Sequence, residues 1–394
     1  DGGELDVVSE TGTVTFSGEI VMSGANQGTG GIVDVTAARN IVVNKPVDVS
    51  GGGGDGGEFS AFAGDHITVL GTIDADSKVG AGFGGLISMT AGADEIGGIV
   101  PGGNVDVNGA SLLLRGSYTD QFAGDGGEVD VLALGSIRFF GSGVVIRADA
   151  GINFDSSGGT VSLDSGDANF FTLGPLDGDI ELGGIVSLRS GNLGGDGGAV
   201  DLSAGRDLTI TATINAIGTG AGGEVSGNAG RAITVNGVVN ANASAASGDG
   251  GFVDFEAGIA SDAGNAGLLS VQKNLIAAGG SANATRQSIV LAGCGLAVAA
   301  NTKIDGSAGT LNGLTGGASI DLISKRAMTL GNSSQYVAPP GGTITTIHPP
   351  GANPIIGTGV VFNPPRIDSV VATGPYPNCP VCGDGVRQTG ETCD

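Results

Sequence analysis

The chain has 394 residues, 79 of them glycine, and 40 acidic side chains against 16 basic ones give a formal net charge of −24. Glycine at about three times its usual share lacks the strict every-third period of a collagen triple helix, and 40% hydrophobic residues exclude a disordered polar tract. The acidic balance disfavours nucleic acid and anionic membrane as partners, since both require a basic face, and it suits solubility and cation binding.

Tryptophan is absent and aromatics make up 4%, so the core is built from small branched residues that suit thin, stacked layers. Strong helix formers such as Lys, Gln and Met are scarce, and almost no helix is expected. No apolar run is long enough to cross a bilayer and no leader-like segment is present. The chain opens at Asp1-Gly2-Gly3-Glu4-Leu5, already inside a repeat. The expectation is an export signal removed earlier, or a fragment, so a missing leader says nothing against secretion.

Residues 51–76 read GGGGDGGEFSAFAGDHITVLGTIDAD, and the pattern recurs along the chain. A glycine pair precedes an alternating strand, a Gly-Asp or Gly-Arg turn leads to a second strand, and a bend leads to a third. Aligned on the second glycine, copies start at Gly3, Gly31, Gly57, Gly85, Gly127, Gly159, Gly198, Gly223, Gly251 and Gly317, with a degenerate start near Gln287. Gly103 and Gly184 resemble starts, but their contexts fit second and third strands better. A period in the twenties with two-residue alternation marks a β-solenoid. These features predict an all-β fold, a single-stranded right-handed parallel β-helix of about 11 coils with three short strands each, spanning 1–338. Bend glycines such as Gly64 are expected because a bend between stacked strands often needs positive φ and leaves no room for a side chain. Insertions at about 92–103, 164–178 and 257–266 are expected to project from one face and offer a binding surface.

Ten of the thirteen prolines lie between Pro339 and Pro380. Residues 339–378 are therefore expected to form an extended tail that cannot continue the ladder, with strand-like pieces that add to an edge of this helix or of a neighbour. Residues 379–394 form a separate cysteine-bearing piece.

Acids before the glycine pairs fall on alternate coils, at Asp1, Asp55, Asp125, Asp196 and Asp249. Spacing them two coils apart reduces like-charge repulsion, which is a structural reading. The chemical reading is calcium held by Asp55, Glu58, Asp125, Glu128 and Asp130, whose oxygens gather around corners. Otherwise no cofactor is indicated. His66 falls at a corner and His348 in the proline-rich segment, and no nucleophile elbow, zinc-protease helix or phosphate loop occurs. Asp164, Asp167 and Asp177 form the acidic cluster that breaks the repeat. Cys294 fits a small buried residue, a partner for a tail cysteine or an intersubunit link. The Cys379-Pro380-Val381-Cys382 motif lacks the adjacent His and second pair that zinc sites show.

The run from Cys382-Gly383-Asp384-Gly385 to Gly390-Glu391-Thr392-Cys393-Asp394 resembles the opening of the cysteine-rich CGDG repeat of secreted and surface proteins of Myxococcus-like bacteria. The resemblance implies an oxidising, extracellular setting with disulfides among Cys379, Cys382 and Cys393. Ending inside the motif fits a chain cut or partly seen. The GGxVxVxA…IxVxGxIxA pattern over 1–338 resembles glycine-rich β-helical passengers of bacterial adhesins and filamentous-haemagglutinin-like exoproteins. The resemblance implies the β-helical architecture of such proteins, and with the rod shape and the lack of catalytic motifs the expectation is a non-enzymatic extracellular structural or adhesive protein, with surface polysaccharide as a partner and no membrane insertion. Unpaired strand edges at the ends of the repeat predict the chain itself as a head-to-tail partner. A polysaccharide lyase or hydrolase and a calcium-dependent carbohydrate-binding protein are the alternatives on the same scaffold.

Overall fold

The computed structural model describes residues 1–92, 103–117, 124–151, 155–166, 178–258, 267–280, 288–308 and 319–372. Among them there is no helix, and the strands form three parallel sheets of 13, 12 and 12 strands. Sheet A takes the first strand of every coil, from Glu4–Ser9 to Ile367–Val370. Sheet B runs from Val14–Phe16 to Ile355–Ile356, and sheet C from Ile20–Val21 to Val361–Asn363. The chain is a parallel β-helix whose sheet A strands begin one residue after most of the expected starts. The starts at Gln287 and Gly317 lie outside the described residues. Gly103 and Gly184 lead into sheets B and C at Val105–Asn108 and Ile185–Ser187.

Strict alternation in sheet A buries every second side chain, as in Val33, Val35 and Ala37. The parallel register carries each inner column from coil to coil, so one apolar core runs the length of the molecule. Column volumes compensate locally. Gly227 stands between Leu202 and Phe255, whose ring fills the space that a side chain at Gly227 would need.

The glycine pairs close a loop between sheets C and A. The N–H of the second glycine donates across its neck, from Gly57 to the Val49 carbonyl at 2.8 Å and from Gly85 to Ala75 at 2.8 Å. A Cβ on Gly56 would strike the Ala75 carbonyl, so close approach requires glycine there. The loops stack through backbone bonds such as Gly52 N–H to Gly28 O at 2.9 Å and Thr219 N–H to Gly195 O at 2.9 Å. They make a fourth column beside the three sheets. Of the two reasons expected for Gly64, it is the lack of room that applies: its φ is not positive, and a Cβ there would strike the Ala38 carbonyl of the preceding coil.

The expected boundary at 338 is corrected. Strands Thr343–His348, Ile355–Ile356 and Val361–Asn363 complete a twelfth coil, and Ile367–Val370 opens a thirteenth. The pairs Pro339-Pro340, Pro349-Pro350 and Pro364-Pro365 fall between these strands, where a missing N–H costs no ladder bond. The strands beyond 338 thus add to their own helix.

The expected common face of the insertions takes a definite form. The three expected insertions each join a sheet A strand to a sheet B strand, after Leu86–Ala91, Thr160–Ser165 and Phe252–Ala257. Their central parts, with Asp167 and Asp177, lie outside the described residues, whereas Asp164 belongs to a sheet A strand.

Candidate functional site

Most polar residues that stand out in the sequence serve the ladder. At the corner from sheet A to sheet B, the side chain before each strand accepts the N–H of its counterpart one coil on. Asn40 accepts from His66 at 3.2 Å, His66 Nδ1 from Asn104 at 3.1 Å, and Asn104 from Ser136 at 2.7 Å. Ser136 accepts from Asp179 at 3.2 Å, Asp179 from Asp207 at 3.2 Å, and Asp207 from Ala232 at 3.2 Å. Residue type varies while the acceptor role persists. His66 is an exposed member of this chain of acceptors. Guanidinium groups brace it, Arg206 Nε on Asp179 at 2.8 Å and Arg231 Nε on Asp207 at 2.7 Å. Burial pushes the Asp179 carboxyl up, but Arg206, the Asp207 N–H and Arg231 together outweigh it and hold it below the usual range.

The alternate-coil acids act the same way at the opposite corner. Asp55 accepts the N–H of Phe83 at 2.8 Å, Asp125 that of Ser157 at 2.7 Å, and Asp196 that of Ala221 at 2.9 Å. These acids cap the matching residue on the following coil, as Asp1 also does for Thr29 at 3.4 Å, so they serve the ladder. Of the calcium candidates, Asp55, Glu58 and Glu128 line a shallow glycine-floored groove of about 600 Å³, and Asp130 points outward from sheet A. Among the described residues no group of three His, Cys, Asp or Glu side chains is placed to hold a metal ion.

The outer face of sheet A carries a set of acids, of which the sequence singled out Asp164 and Asp130 but not Asp254 and Glu256. Burial, then the neighbouring carboxylates of Glu256 and Glu224, push the Asp254 carboxyl up to about 6. Burial also raises Glu256. Asp164 is raised by burial and by Asp201 and Asp130, against a hydrogen bond from Ser203.

His348 is buried inside the end of the helix, not exposed in a tail. Its Nε2 lies 3.3 Å from Asp368, which also accepts from the Thr346 hydroxyl at 2.5 Å and from Arg366 at 3.1 Å. Burial works to raise Asp368, but Thr346, Arg366 and His348 together hold it below the usual carboxylate range. Arg366 sits 5.7 Å over Phe362, which stacks on Tyr336 at 5.0 Å. The last described coil therefore ends the apolar core in a polar layer. Sequence reading missed it because His348 and Asp368 are twenty residues apart and meet only through register.

Cys294 is buried at the corner from sheet A to sheet B and is not free. Cys379, Cys382 and Cys393 lie outside the described residues.

One place breaks the repeat on sheet B. Its outer column holds Thr68, then Asp106, Arg138 and Glu181 in successive coils, then Thr209 and Thr234. Arg138 reaches Asp106 at 3.7 Å. Beside them a cleft of about 330 Å³ opens between Phe140, Glu181, Thr209 and Thr211 over Gly141 and Gly183. No protein-family model matches this chain, and neither a curated protein nor a solved structure matches it.

Proposed function

We propose that this chain is a non-enzymatic structural or adhesive rod of an extracellular surface. The observation that carries the reading is the unbroken ladder from Glu4 to Val370, whose conspicuous polar residues bond one coil to the next. Twelve rises of ~4.8 Å give sheet A an axial length of roughly 58 Å.

The extracellular part of the reading draws on cysteine placement. Cys294 lies three coils before the last sheet A strand, on the corner that the chain reaches after Val370. Three rises make ~14 Å, and the nine residues from 371 to 379 extend to roughly 30 Å. We pair Cys294 with one of Cys379, Cys382 and Cys393, a bond that persists in an oxidising compartment. Non-reducing peptide mapping is expected to show that link. Free alkylation of Cys294 without reductant would remove this support.

Head-to-tail joining of copies belongs to the same proposal but ranks below the single rod. Among the described residues the first coil holds half-covered Leu5, Val7 and Phe16, and the last holds Asp368 and Arg366. Direct stacking would desolvate that ion pair against apolar side chains, which is costly. Electron microscopy of native material is expected to show discrete rods on a surface. Globular particles would overturn the reading, and filaments would promote the joint.

Glycan cleavage is a second reading, favoured by Asp254, since a carboxyl titrating near neutrality suits a general acid. Release of reducing ends that Asp254→Asn abolishes would install an enzyme in place of the rod.

A further inference from the structure

We infer that the sheet B cleft at Phe140 is a binding site for one neutral hexose unit of a glycan. The site exists because two adjacent coils depart from the repeat together. Coil 5 turns from sheet B to sheet C over Gly141-Ser142-Gly143 and then carries a register shift between Val144 and Ile146. Coil 6 turns the same corner with only Gly183-Gly184. The three-residue corner stands beside a shorter one without side chains, and a notch opens between them. An added Cβ at Gly183 would crowd Phe139 O at 2.9 Å and touch Thr211 Oγ1 at 3.5 Å, so a side chain there would fill the floor of the notch.

What lines the notch sets the ligand chemistry. Phe140 is 41% exposed, an unusual state for a phenylalanine on a strand, and its ring forms one wall. The Glu181 carboxylate and the Thr209 hydroxyl share the next outer column, in register in successive coils. Neither has a side-chain hydrogen bond or ion pair among the described residues, because Arg138, the neighbour of Glu181, turns to Asp106. The Thr211 hydroxyl sits at the far wall, 3.3 Å from the Leu182 carbonyl. A pyranose ring has an apolar C–H face for the aromatic wall and hydroxyls at its edge that donate to a carboxylate and exchange hydrogen bonds with threonine. About 330 Å³ is at the small end of the range for small-molecule sites, which fits one sugar unit with the rest of the glycan in solvent. The net charge of −24 and the bare Glu181 carboxylate oppose uronates, sulfated sugars and phosphates. The shallow, partly polar lining offers no channel for a lipid.

This site deepens the adhesive reading and rests on it for its biological purpose, but its test is separate. Binding of cellotetraose, maltotetraose, mannotetraose and chitotetraose to the full chain is measured by calorimetry and saturation-transfer NMR. At least one is expected to bind with a Kd of about 1 mM or tighter, as a single shallow subsite allows. Phe140→Ala is expected to weaken it about tenfold, and Glu181→Gln several-fold. Leu70→Ala, which removes the exposed side chain in the same column two coils earlier, is expected to leave it unchanged. No binding of any of the four at about 10 mM overturns the proposal. So does binding that survives both Phe140→Ala and Glu181→Gln. Rods without glycan binding would retire the site and keep the rod; glycan binding by a globular particle would do the reverse.

Discussion

At the residue scale, polar groups are placed by what the next coil's backbone lacks. Ser157 presents an N–H at a corner, and Asp125 supplies the acceptor from the coil before. Asp125→Ala is expected to lower the unfolding free energy by about 1 kcal/mol, and Asp125→Asn by less than half of that because the amide oxygen still accepts. Urea titration measures both. On this account the melting temperature is the same in calcium and in chelator. A calcium-dependent rise that Asp125→Asn removes would restore the metal reading.

Asp254 makes a residue-scale prediction about pH. Its folded-state pKa of about 6 lies above the ordinary 3.8, so ionisation is disfavoured in the folded chain. The stability it contributes is fully present below the unfolded value and is lost as pH rises through about 6. Asp254→Asn is expected to be more stable than wild type at about pH 7.5 and to lose that advantage towards about pH 4, as followed by urea midpoints. A constant difference across the range would remove the role of Glu256 and Glu224 as repelling neighbours.

At the scale of the element, alternation in the sequence sufficed to place the sheet A strands. The proline pairs misled because their number hid their spacing: they sit at corners, and the six residues of Thr343–His348 keep the same inward alternation as earlier coils. Packing between coils was not legible either. Gly227 looks like a gap in a strand, yet the Phe255 ring would lie 2.7 Å from a Cβ there. Restoring the apolar pattern with Gly227→Val is expected to cost about 1–3 kcal/mol through overpacking. In a Phe255→Leu background the same change is expected to cost clearly less, and a double-mutant cycle measures the coupling. Additive effects would show that the column relaxes independently.

At the scale of the whole molecule, the rod is uniform along its length and differs at its two described ends. Its interior is continuous from Val14 to Ile344, and Thr346, His348, Arg366 and Asp368 then replace apolar side chains. Removing the acceptor with Asp368→Ala would take away the partner of His348 Nε2 and leave the Thr346 hydroxyl only its 3.5 Å contact to the Ile367 carbonyl as acceptor, so local opening is expected first in the last two coils. Hydrogen exchange resolves such a gradient, because each coil of a solenoid is held mainly by its neighbours.

The sequence by itself determined the period, the three strands per coil and the inward columns, because these depend on alternation and on glycine at fixed intervals. It also contained the capping acids, but only their spacing was readable, since the N–H each one satisfies belongs to another coil. Tertiary structure alone decided that Asn40, His66, Asn104, Ser136, Asp179 and Asp207 share one role, that His348 meets Asp368, and that Phe140 faces Glu181 and Thr209 across a notch. Stacking sets side by side residues that lie some twenty to forty positions apart, and coils of unequal length hide that register from any fixed count along the chain.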